Sequence, residues 1–384
     1  MLHCQKESFS LEDEVTYLNC AYMSPQLQSV EQVGLESIRQ KSRPYQMGIS
    51  DFFDPVIRLQ KLFAELIHCP KHERIAIIPA ASYGVANVAA NIQLQAGQEI
   101  LIIQEQFPSN YHSWERLAKE QKGALKVIPQ VEAAALGGNW TQAILNNISD
   151  QTALVAIGHV HWADGSRFDL ELIGQKCRQH EALLVIDGTQ SVGALTFDVQ
   201  KIQPDALICG GYKWLLGPYS LGLAYYGPAF DHGLPIEENW INRLHSEDFK
   251  SLVQYQTAYK PGAQRYSMGE QSNFILIPML QKALEQILAW GVENIQVYCQ
   301  HISKNALERL EALECLIAPE AYRCHHLFGI RLGPNIDVLK LQQVLVREKV
   351  YVSFRGNAVR VAPHLYNDVS DFEKLVYCFE QAVR

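Results

Sequence analysis

The sequence predicts an α/β protein, with a mostly parallel seven-stranded sheet in a large domain and a smaller C-terminal α/β domain. Three observations predict it. Short apolar runs alternate with helical patterns from about residue 60 to 230. Those runs are continuously apolar, as strands covered on both faces are. After Tyr226 the alternation stops at Gly227-Pro228 and the polar stretch Asp231–Asp248, and a helical stripe takes over.

The strands follow in order: Ile75–Ile78, Ile100–Ile103, Lys126–Ile128, Ala153–Ile157, Leu183–Ile186, Ala206–Ile208 and Leu221–Tyr225. Each is rich in β-branched or aliphatic residues and short enough for a buried strand. Between them Tyr83–Ile92, Tyr111–Gln121 and Leu170–His180 read as helices. From Pro278, the residues Leu280, Ala283, Leu284, Ile287 and Leu288 form an apolar stripe at helical spacing. A strand at Ala358–Ala362 and a last helix from about Ser370 complete the smaller domain, with Ser370 and Glu373 spaced as a capping box. The expected division is 17–255 for the large domain, with 1–16 and 256–384 for the small one.

Composition narrows the class. Of the 384 residues 48% are hydrophobic and 19% charged, ordinary values for a globular enzyme. A net charge of -8 with no basic cluster excludes a nucleic-acid surface. Nine singly scattered cysteines fit a reduced, cytoplasmic protein better than a disulfide framework. Residues 1–15 carry Lys6, Glu7, Glu12, Asp13 and Glu14 and lack the apolar core of a secretory leader. No run approaches the roughly 20 apolar residues of a membrane span.

The chemistry concentrates at strand ends, where parallel sheets place ligands. Lys213 follows an apolar strand and the pair Gly210-Gly211, which leave room for a flat group against the backbone. Trp214, Leu215 and Leu216 would desolvate its amine and lower its pKa toward that of a nucleophile. Asp187 ends another apolar run and should reach the same sheet edge. An amine for a Schiff base and a carboxylate for a pyridine nitrogen are what pyridoxal 5'-phosphate requires. Ser82 and Tyr83 open a helix after the strand at Ile75–Ile78, a position suited to a phosphate, and Ser82 could also serve as its N-cap. Phe107, fixed before Pro108, could stack on a ring. Gln190 could reach a phenolic oxygen, and the Tyr212 hydroxyl the phosphate. His159 and His161 share a strand face without a third ligand nearby, so no metal is expected and His161 is placed at the mouth of the site.

With these residues in place, the chain resembles the class V aminotransferase family of fold-type-I pyridoxal phosphate enzymes, which holds cysteine desulfurases, kynureninase and isopenicillin N epimerase-like proteins. The resemblance rests on Val185 to Gly193, with Asp187 and Gln190, and on Asp205 to Gly217, with Lys213; it extends from Tyr17 to Asn367. It implies a Lys213 Schiff base, with Asp187 on the pyridine nitrogen, Gln190 at the ring hydroxyl, and Thr189 and Phe107 on opposite ring faces. It implies phosphate contacts from Ser82, Tyr83 and Tyr212, with Asn273 and Trp240 supplied by the second subunit of a homodimer. Arg360 matches the arginine that clamps an amino-acid carboxylate, with Asn110 and His161 near the substrate and Arg355 as a rival. The segment 350–360 lacks the cysteine that desulfurases carry before that arginine, and Gln190 stands where kynureninase has histidine. The implied activity is transamination of an amino acid. A kynureninase-like or C–S lyase, an epimerase, and a non-catalytic binding protein are the alternatives.

Overall fold

The computed structural model describes residues 2–135, 137–356 and 358–384. The chain begins with β1 (Thr16–Tyr17), α1 (Gln28–Lys41) and α2 (Ile49–Leu66). The alternating region follows: β2 (Ile75–Ile78), α3 (Ala81–Ala90), β3 (Glu99–Ile103), α4 (His112–Glu120), β4 (Ala124–Ile128), α5 (Gln130–Ala135), α6 (Trp140–Asn147), β5 (Thr152–Gly158), α7 (Leu170–Gln179), β6 (Leu183–Asp187), α8 (Val199–Ile202), β7 (Ala206–Gly210) and β8 (Gly222–Tyr226). The rest is α9 (Leu276–Trp290), α10 (Val292–Ala312), β9 (Leu316–Ile317), β10 (Phe328–Arg331), α11 (Val338–Arg347), β11 (Val350–Tyr351), β12 (Ser353–Arg355), β13 (Ala358–Val361) and α12 (Val369–Gln381).

All seven strands predicted between residues 75 and 225 are present and form one sheet of order β2-β8-β7-β6-β5-β3-β4. Its pairings are parallel except those of β8, which runs antiparallel to β2 and β7. Successive strand residues divide between two cores, one per face, as the two-residue strand period requires. Leu101, Ile103, Val155, Ile157, Leu184 and Ile186 join a core with Phe63 of α2, Ile173 of α7 and Leu284 of α9. Ile100, Ile102, Leu154, Ala156 and Val185 join a second with Val85 and Val88 of α3 and Trp114 of α4. This two-sided burial explains the unbroken apolar runs of the inner strands; the edge strand β4 is largely uncovered, with only Ile128 buried.

The smaller sheet has the order β12-β13-β10-β9 and is antiparallel throughout. One feature departs from expectation. The last helix is capped by Asp368 rather than Ser370. Asp368 accepts from the Ser370 and Asp371 amides, and Asp371 accepts in return from the Asp368 amide. All four residues of β13 are buried, so Arg360 lies inside the protein rather than on a polar strand face.

Candidate active site

The carboxyl ends of β2, β3, β5, β6 and β7 converge on a cavity of about 270 Å³. Lys213 lies there on the turn after β7, only 7% exposed. Burial pushes its amine down to about 8, and Arg360 and Arg355 add to the effect while Asp187 opposes it. Trp214, Leu215 and Leu216 are buried as expected. The Lys213 Nζ lies 5.7 Å from the centre of the Phe107 ring and 5.4 Å from that of Tyr212. Asp187 ends β6 on the adjacent strand, and its Oδ1 accepts the Thr189 amide at 3.0 Å. The Thr189 hydroxyl accepts the Gly210 amide at 3.1 Å. The two glycines have different reasons. Gly210 lines the cavity, where a Cβ would sit 3.3 Å from Thr189 Cγ2. A Cβ on Gly211 would stand 2.6 Å from the Leu221 carbonyl, so that glycine serves the β7–β8 hairpin rather than a ligand.

The opposite wall is the start of α3. The N-cap is Ala80, not Ser82, and it makes no side-chain cap bond. The Tyr83 amide donates to the Ala80 carbonyl at 3.1 Å, and the Tyr83 hydroxyl donates to Glu237 at 2.9 Å. Tyr83 is therefore committed within the protein. The Ala81 and Ser82 amides remain at the positive end of a ten-residue helix whose first residues line the cavity.

Gln190 lines the cavity with much of its side chain already engaged. Its Nε2 donates to the Ala21 carbonyl at 3.1 Å and its Oε1 accepts the Trp214 indole N–H at 3.0 Å, leaving one N–H for a ligand. The Trp214 ring meets His326 edge-on, and His326 Nε2 lies 2.8 Å from the Gln190 carbonyl. Burial holds that imidazole down to about 4, so it is neutral.

Of the expected site residues, Tyr83, Asn110, His161, Trp240, Asn273 and Arg360 do not line the cavity. Asn110 is buried behind it and accepts the Trp114 indole N–H at 2.8 Å. His161 is not at the mouth. It stacks on Trp140 with its Nδ1 3.2 Å from Asp164, where burial opposes its charge but Asp164 prevails and raises its pKa. The chain turns after β5, where Val160 bridges back to Arg167 and carries His161 inward. His159 packs on Phe197 instead, and among the described residues no set of three possible ligands could hold a metal.

Trp162, which the sequence reading did not select, takes the place given to His161. It follows β5 as Phe107 follows β3, but His161 beside it satisfies the same strand-end rule, and only the fold separates the two. Its ring meets Phe107 at 5.5 Å, its indole donates to the Glu105 carbonyl at 2.7 Å, and it lines the cavity. Tyr219 and Ser220, also in the lining, were likewise missed. Arg360 is only 1% exposed and donates to the Trp162 carbonyl at 2.9 Å and the Ser353 hydroxyl at 3.4 Å. Burial lowers its pKa to about 10, with Arg355 adding to the effect. Asn273 and Trp240 lie together in a different cavity of about 460 Å³ that shares no residue with the first, and the Asn273 side chain accepts the Ile275 and Leu276 amides at the start of α9.

The donor set fits pyridoxal phosphate. The α3 amides suit a dianion, Phe107 and Thr189 line the space where a flat ring would stand, Asp187 suits a protonated ring nitrogen, and Lys213 offers an amine for the aldehyde. Comparison with known proteins points to the same cofactor. The family model described as aminotransferase class-V matches residues 50–372. The uncharacterized aminotransferase YcbU of Bacillus subtilis is 25% identical over 85% of this chain and 87% of its own. A cysteine desulfurase of Escherichia coli is 27% identical over 66% of this chain and 61% of its own. A solved structure described as C-DES with glycine covalently linked to its pyridoxal phosphate superposes with a TM-score of 0.85 at 19% identity, over 97% of this chain and 98% of that one.

Proposed function

This chain belongs to the aminotransferase class-V family, and on that premise we propose that it transfers the amino group of an amino acid. It is a pyridoxal-phosphate-dependent enzyme, and the cofactor supplies an electron sink for the pair left when a bond to the α-carbon breaks. One observation carries the assignment of the site. A buried amine held near 8 and a carboxylate at the end of the next parallel strand share one cavity with an uncapped helix start.

The roles follow from that arrangement. Ser82 and Ala81 hold the phosphate through their amides, and the Tyr212 hydroxyl adds a donor. Asp187 keeps a proton on the pyridine nitrogen, and the Thr189 amide keeps Asp187 oriented. Gln190 offers its remaining N–H to the ring oxygen, while its other bonds fix the amide plane. Phe107 covers one ring face and Thr189 the other. Lys213 would hold the cofactor aldehyde, and its amine, once free, would serve as the base that takes the proton from the substrate α-carbon. Arg360 reads the substrate carboxylate. Asn273 and Trp240 reach the phosphate of a neighbouring subunit in a homodimer, and the protein works in the cytoplasm.

A persulfide route has little support in this chain. It requires a reactive thiolate at the site. No cysteine lines the cavity among the described residues, and only Cys4 is exposed. Cys20, whose Sγ lies 4.0 Å from the Lys213 carbonyl, is buried with its thiol pushed up to about 12.

The test has two stages. Borohydride treatment of the cofactor-loaded protein, followed by peptide mapping, should place the label on Lys213. Incubation with single amino acids and a 2-oxo acid acceptor should yield the exchanged pair. Label on another residue overturns the site. Release of ammonia, sulfide or a racemic amino acid without exchange overturns transamination in favour of lyase or epimerase chemistry.

A further inference from the structure

Two arginines that do not themselves line the cavity meet Trp162 in its wall, one more cation than a single carboxylate requires. Arg355 ends β12 with its guanidinium carbon 5.4 Å from the centre of the Trp162 ring. Arg360, on the adjacent strand β13, holds the carbonyl of the same tryptophan. Neither arginine forms an ion pair with any acid among the described residues. Of the five donors that each carries, Arg355 uses one, to the Phe354 carbonyl, and Arg360 uses two. The Nε of each is buried with no acceptor.

Buried guanidinium donors without acceptors are costly, and native proteins seldom leave them so unless a ligand completes them. Proximity adds a second cost, because Arg355 and Arg360 repel each other and both repel the Lys213 ammonium. Asp187 is the carboxylate that opposes them at Lys213, and it is assigned to the ring nitrogen. The cofactor phosphate is assigned to the start of α3. Two cations therefore remain, and a substrate α-carboxylate answers one. A chain of contacts links them to the site: Arg355 lies over the Trp162 ring, Trp162 meets Phe107 at 5.5 Å, and the Lys213 Nζ lies 5.7 Å from the Phe107 ring.

We infer that the preferred substrate is an amino acid with a second acidic group on its side chain, or the matching 2-oxo acid, with Arg360 on the α-carboxylate and Arg355 on the distal acid. The inference rests on the proposed function for the placing of cofactor and α-carboxylate. Arg355 is a specificity-determining residue in this reading, since its planar fork suits bidentate binding of a carboxylate.

Binding of substrate-like acids without an amine tests this independently of turnover. Glutarate, succinate and butyrate are titrated calorimetrically into the cofactor-loaded protein. A dicarboxylate should bind roughly tenfold or more tightly than butyrate, the scale of one charge-assisted pair. Arg355→Gln should remove most of that ratio and Arg355→Lys should restore part of it, whereas Arg360→Gln should weaken all three acids. Equal affinities in the wild type overturn the inference. So does an Arg355→Gln variant that loses glutarate and butyrate by the same factor, because both arginines would then serve one carboxylate. If Lys213 takes the borohydride label but dicarboxylates show no preference, this inference fails alone. If dicarboxylates are preferred but Lys213 takes no label, the proposed function fails and the acid-reading pair stands.

Discussion

Lys213→Met in protein stripped of cofactor tests the buried amine without any turnover. The methionine matches the lysine stem in length and removes the charge. In the folded chain burial brings the amine from an ordinary 10.5 down to about 8, an effect worth about 3 kcal/mol against the charged form. The sign follows from proton uptake. Between about pH 8 and 10.5 the unfolded chain keeps the proton that the folded chain has released, so stability rises with pH through that window. Below pH 8 the folded protein carries the full penalty. The methionine variant should therefore be more stable than the wild type by up to about 3 kcal/mol at pH 7. The advantage should shrink steadily toward pH 10.5. Urea unfolding of both proteins at several pH values measures it, and pairing them at each pH cancels the other titrating groups. A difference that stays constant from pH 7 to 10.5, or grows with pH, would mean that the amine is not desolvated in the folded chain and would remove its claim to be a poised nucleophile.

Two further outcomes are expected. Asp187→Ala should lower turnover about a hundredfold or more, because a desolvated charge partner typically contributes several kcal/mol to a transition state; near-normal single-turnover rates would reassign that carboxylate. Sedimentation of the cofactor-loaded protein should show a dimer, with Asn273→Ala and Trp240→Ala shedding cofactor on dialysis, and an active, loaded monomer would exclude the shared phosphate site.

The sheet was legible because its physics is local. Burial on both faces writes an apolar run, and each of the seven runs became a strand. The helix α2 was not assigned, although Phe53, Val56, Leu59 and Phe63 carry its buried stripe, because its polar face and Pro55 dilute that signal. Residues at a strand end or a few positions beyond it, such as Asp187, Phe107 and Lys213, could be placed by rule. Contacts across long separations could not. Gln190 reads as a free amide until Ala21, 169 residues earlier, takes its N–H. His161 satisfies the same strand-end rule as Trp162, and only the turn that bridges Val160 to Arg167 decides which of the two neighbours faces the ligand. Arg360 shows the same limit, since alternation along β13 does not reveal that the whole strand is covered.

The two arginines also bear on how Lys213 changes role. Without substrate, burial and the guanidiniums of Arg360 and Arg355 all disfavour its proton, and Asp187 alone among the larger influences favours it. That balance suits an amine that must attack an aldehyde near neutral pH, because only the neutral form has a free pair. Substrate acids paired with the arginines would cancel their push on the amine. Its basicity would then rise at the stage when it must accept a proton from the α-carbon. With Arg360 and Arg355 on the substrate acids as proposed, the same pair of cations would also tune the base that acts on the substrate, which a single distant arginine could not do to the same extent.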